Sequence, residues 1–69
     1  MATLYKGDRV IATEGLGGLF SPAVPKGTEG VIVDKRGILS TEYEVHFDNG
    51  AVHQCSERQI AKLRRSGSW

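Results

Sequence analysis

Cys55 is the single cysteine of the chain, so no disulfide forms within it. Neither a Cys-x-x-Cys pair nor a Cys/His quartet is present, which excludes a structural zinc site built from one copy. Long apolar runs are missing too. Stretches such as Val31-Ile32-Val33 fall far short of the ~20 residues that a membrane-spanning helix needs. No basic region followed by an apolar one appears in Met1-Ala2-Thr3-Leu4-Tyr5-Lys6, so no leader peptide is expected. A lone thiol suits a reducing compartment, and the expected location is the cytoplasm, away from any membrane partner. Aromatics are scarce: Tyr5, Phe20, Tyr43, Phe47 and Trp69 are too few, with two of them expected in the core, to build a methyl-lysine cage. Charge of either sign is not in excess. Nine Lys/Arg against eight Asp/Glu leave a net +1, which neither demands nor excludes a polyanionic partner.

What is present is glycine and short β-branched runs. A chain of 69 residues is one domain at most. It buries only about 60% of its unfolded surface, so it needs a partner subunit or an economical closed core. Nine glycines with Pro22 and Pro25 punctuate the runs in the manner of an all-β domain. Strands are expected at 8–13, 30–35, 43–47, 51–55 and 60–63. Tyr43, Val45 and Phe47 alternate with Glu44 and His46, the cleanest strand signal in the chain. Ser56-Glu57-Arg58-Gln59 has the spacing of a capping box and predicts one helical or 3₁₀ turn before the last strand. The domain is expected to occupy residues 1–65, with 66–69 as a flexible tail.

A loop of about a dozen residues, 14–26, separates the first two strands, and loops of that length are often functional. It carries Leu16, Leu19 and Phe20. Two roles stand open for them: closing over one end of the core, or forming a binding surface.

The order of these elements, together with particular residues, resembles an SH3-like barrel. Lys6-Gly7-Asp8-Arg9-Val10 resembles the opening strand of many such domains. Gly27-Thr28-Glu29-Gly30-Val31-Ile32 resembles the G-x-x-G-x-V element of KOW and Tudor-like barrels. Tyr43 to Gly50 is similar to their central hairpin, and Gln59-Ile60-Ala61-Lys62-Leu63 to their closing strand. The resemblance covers roughly residues 5–63 and implies a small five-stranded all-β barrel with a long first loop and a 3₁₀ turn before the last strand. Such barrels bind RNA, DNA or protein tails, or dock subunits of larger complexes, and the fold alone does not select among these. The plasmid-borne type II dihydrofolate reductases share the layout. Where their Val-Gln-Ile-Tyr catalytic strand would fall, this chain has Val52-His53-Gln54-Cys55, without the Ile or Tyr and with the Gln displaced by one. That departure makes an oligomeric reductase the most distant alternative.

The expected function is therefore a non-catalytic module for protein–protein interaction or assembly, with a homodimer as one form of it. Tyr5, Leu16, Leu19 and Phe20 are its candidate contact residues. The alternative is nucleic-acid binding, with Lys35, Arg36, Arg58, Lys62, Arg64 and Arg65 reaching phosphates. No cofactor and no small-molecule substrate are expected. A two-residue Asn49-Gly50 turn would pair His46 with His53 and set Cys55 and Glu44 beside them, a weak candidate metal cluster. A three-residue loop with a glycine bulge would shift the pairing by one and separate the histidines. In that case they are surface histidines, and Cys55 is a half-buried apolar residue.

Overall fold

The computed structural model describes residues 4–20, 22–37 and 39–63. They form β1 (Arg9–Ala12), β2 (Glu29–Arg36), β3 (Glu42–Phe47), β4 (Val52–Ser56), a 3₁₀ turn (Glu57–Gln59) and β5 (Ile60–Lys62). All pairings are antiparallel, in the order β4-β3-β2-β1-β5. The fold is all-β, with a long first loop and a 3₁₀ turn ahead of the last strand, as expected. The sheet is compact but not closed: among the described residues no ladder joins β4 to β5, and the 3₁₀ turn spans the seam. No helix among the described residues is long and apolar enough to cross a membrane. The end of the domain at 65 and the tail at 66–69 lie outside the described residues.

Alternation builds the core. Val10 and Ala12 of β1, Ile32 of β2, and Tyr43, Val45 and Phe47 of β3 all turn inward. Leu4, Leu16, Val24, Ala51, Cys55 and Ile60 complete one continuous apolar cluster. Ser56 stops β4 and starts the turn: Gln59 Oε1 accepts the Ser56 N–H at 2.9 Å, one half of the capping box that the spacing predicts. Thr13 then fastens the turn to the far side of the seam. Its N–H donates to the Gln59 carbonyl (2.9 Å) and its Oγ1 to the Arg58 carbonyl (2.8 Å).

Two irregularities decide which side chains share a face. The β2–β3 register shifts between Ile32 and Asp34, so β2 carries a bulge at Val33. Beyond it Lys35 stands opposite Tyr43, on the core side of the strand. The second irregularity is the β3–β4 turn. Phe47 N–H donates to the Ala51 carbonyl (2.8 Å) and Gly50 N–H to the Phe47 carbonyl (2.9 Å), giving a three-residue loop, Asp48-Asn49-Gly50. Gly50 sits at φ +92°, a conformation that a side chain at this position would resist. The two-residue turn is thereby corrected, and the whole of β4 moves one place.

Candidate functional site

The moved register dismantles the candidate metal cluster. His46 pairs with Val52, and His53 with Val45, so the two imidazoles lie on opposite faces of the sheet. His46 points outward, its Nε2 at 3.3 Å from Glu44 Oε2. Cys55 pairs with Tyr43 and is buried in the core, where desolvation pushes its thiol up to about 11. A thiol held protonated and enclosed is a packing group, not a nucleophile. Among the described residues no three His, Cys, Asp or Glu side chains converge on a common point.

His53 instead anchors the long loop. The loop narrows where Leu16 and Val24 exchange backbone hydrogen bonds, each at 2.8 Å, and drop their side chains into the core. Beyond that neck, His53 Nε2 lies 2.5 Å from the Pro22 carbonyl and donates to it, since a carbonyl oxygen only accepts. Asn49 Nδ2 donates to the neighbouring Ala23 carbonyl at 3.0 Å. On the opposite leg Gly17, at φ +64°, passes so close that a Cβ there would meet the His53 ring and the Pro22 carbonyl. The glycine is what lets the ring lie between the two legs.

With the neck closed and the Pro22–Ala23 leg anchored, the tip is presented. Leu19 is 83% exposed and Phe20 96%, while Leu16 at the neck is 7% exposed. The two roles open to these residues thus divide between them: Leu16 packs, and Leu19 with Phe20 faces solvent. Tyr5, 58% exposed, sits elsewhere. It is held toward the start of β3, where Lys35 Nζ lies 4.9 Å from its ring centre and 5.8 Å from that of Tyr43. Asn49 and the loop legs gather at the other end of β3.

Three of the six candidate phosphate contacts, Lys35, Arg36 and Lys62, are engaged within the fold. Lys35 Nζ donates to the Leu4 carbonyl at 3.0 Å besides lying over the two tyrosine rings. Arg36 pairs with Glu44 (2.9 Å) and Asp34 (3.2 Å), and Lys62 with Asp8 (3.6 Å). Arg58 has no carboxylate within ion-pair distance among the described residues, and Arg64 and Arg65 lie outside them. A further ionic group ties β1 to the β3–β4 turn: Arg9 bonds Asp48 (2.8 Å) and Glu29 (3.1 Å). The Arg9 hydrogen bond holds the Asp48 carboxyl below its usual range, and its partners raise the guanidinium in turn.

Sequence reading missed the anchors Gly17, Pro22, Asn49 and His53. Asn49 was legible only as a turn residue, and nothing local announced that its amide reaches the loop. Searches against protein-family models, curated proteins and solved structures found no match to this chain.

Proposed function

We propose that this domain is an SH3-like barrel acting as a non-catalytic protein-interaction module, with Leu19 and Phe20 as its contact residues. The barrel assignment draws support from the strand order, the long loop after β1 and the 3₁₀ turn ahead of β5. The observation that carries the functional reading is an apolar loop tip with almost no buried surface, held out by a neck and two side-chain anchors. Ordering such a loop in advance lowers the entropy lost when a partner covers it. Large exposed aromatics are the usual anchors of protein contacts. The nucleic-acid alternative draws less support, because Lys35, Arg36 and Lys62 already hold internal partners.

Selection of displayed peptides against the immobilised domain, followed by amide-resolved NMR, tests the reading. Enriched peptides should shift amides around Leu19 and Phe20 and bind at least about tenfold more weakly to the Leu19→Ser, Phe20→Ser double variant. Peptides that bind the double variant equally well would overturn it. So would salt-sensitive shifts on a contiguous surface with short oligonucleotides, which would establish the phosphate-binding alternative.

A further inference from the structure

The sheet ends in two edges of different character. The β5 edge is three residues long and carries Lys62, both of them devices that discourage pairing with another chain. The β4 edge is five residues, Val52-His53-Gln54-Cys55-Ser56, without Lys, Arg, Asp, Glu or Pro. Hydrogen-bonded and non-bonded pairs alternate along an antiparallel ladder. The bond from Phe47 to Ala51 fixes that alternation: His53 and Cys55 face β3, while Val52 and Gln54 turn their N–H and C=O groups outward. Ser56 also faces outward, but its N–H is already taken by Gln59. Among the described residues neither the N–H nor the carbonyl of Val52 or Gln54 meets a partner outside the ladder. Val52 is also 47% exposed, an apolar side chain beside this open edge.

We propose that β4 pairs edge to edge with β4 of a second copy of this chain, joining the two sheets into one. A two-fold axis through His53 sets Val52 of each strand opposite Gln54 of the other. Every outward N–H and C=O of these residues then finds its complement. The self-match is what selects a second copy as the occupant: an isologous contact needs a patch complementary to itself, and an edge without Lys, Arg, Asp or Glu opposes no two of these of like sign across the axis. The same pairing at β5, about Ala61, would set the charged Lys62 of each copy opposite Ile60 of the other. The pairing is made by β4 backbone groups and does not rest on the Leu19–Phe20 surface.

Sedimentation velocity of the full chain, from about 10 µM to about 1 mM, covers the range expected for an interface of the small, transient class. The wild type should move from monomer toward dimer, and hydrogen exchange at the Val52 and Gln54 amides should slow with concentration. Gln54→Pro removes an N–H that the monomer does not use, at an edge position where proline is tolerated, and should remain monomeric with an otherwise native NMR spectrum. Gln54→Lys keeps the N–H, brings charge to the edge and should weaken dimerisation at least about tenfold, so the outcome holds even where the proline variant does not fold. A wild type that stays monomeric throughout overturns the proposal, as does a dimer that Gln54→Lys leaves unchanged. Loss of the dimer in the Leu19→Ser, Phe20→Ser variant, with Gln54→Lys behaving as wild type, would move self-association to the loop tip.

Discussion

His53 Nε2 lies 2.5 Å from the carbonyl oxygen of Pro22, a residue 31 positions earlier, and the bond pins the long loop to β4. Replacing His53 by Ala should free the Pro22 carbonyl while Asn49 still holds the adjoining Ala23 carbonyl of the same leg. The expected loss is about 1 kcal/mol, the net worth of one such hydrogen bond. Hydrogen exchange should show faster opening near Gly17 and Ala23, with the amides of β2 and β3 unchanged.

Gly17 is the complement of that bond. A Cβ there must displace both the imidazole and the Pro22 carbonyl, at a backbone angle that side chains rarely adopt. Gly17→Ala should cost about 1–3 kcal/mol. Gly18→Ala, where nothing lies within 4 Å although φ is +112°, should cost less. Paired thermal melts of the two variants give the comparison.

Leu16 and Phe20 belong to one loop and should respond oppositely to truncation. Leu16→Ala opens the core and should cost about 2–5 kcal/mol. Phe20→Ser, at a side chain that buries almost nothing, should leave stability within about 0.5 kcal/mol of wild type. Urea titrations read both.

Asp48 makes stability depend on acid. Its folded carboxyl lies below the ordinary value, so it binds protons less readily in the native state than in the unfolded chain. The contribution is present above the unfolded pKa, near 4, and is lost as pH falls through the lower folded value. Asp48→Asn should flatten the stability profile in that acid window, as seen in urea midpoints collected across it.

Cys55 acts at the other end of the scale. With its thiol raised to about 11 by burial, the folded state keeps the proton after the unfolded chain has given it up. Its contribution is complete below the unfolded thiol pKa, near 8.5–9, and declines as pH rises through 11. A thiol-reactive disulfide reagent at pH 8 should modify the native chain slowly and the urea-unfolded chain at once.

Much of this was readable in the residues. Tyr43, Val45 and Phe47 declared β3 by strict alternation, and Ser56 and Gln59 declared the 3₁₀ turn by spacing, because both signals are local. The register of β4 was not readable. Asn49-Gly50 fits a two-residue turn as well as a three-residue one, and two contacts accompany the longer form. Asn49 Oδ1 accepts the Ala51 N–H at 3.0 Å, and its Nδ2 reaches Ala23, 26 residues away. Likewise no pattern in Ile32-Val33-Asp34 announces a bulge, so the inward turn of Lys35 toward Tyr43 was hidden. The exposure of Phe20 follows from a neck formed by Leu16 and Val24, a pairing across the loop that composition does not encode.

The pairing of β1 with β5 has a kinetic meaning. Val10 lies beside Lys62, across nearly the whole described chain, whereas β2, β3 and β4 form a meander of near neighbours. Bringing such distant segments together costs loop-closure entropy before any contact repays it. The meander is thus the natural nucleus, and the arrival of β5 beside β1 the late step. Substitutions in β5 should chiefly quicken unfolding, leaving the rate of folding to the hairpin of β3 and β4.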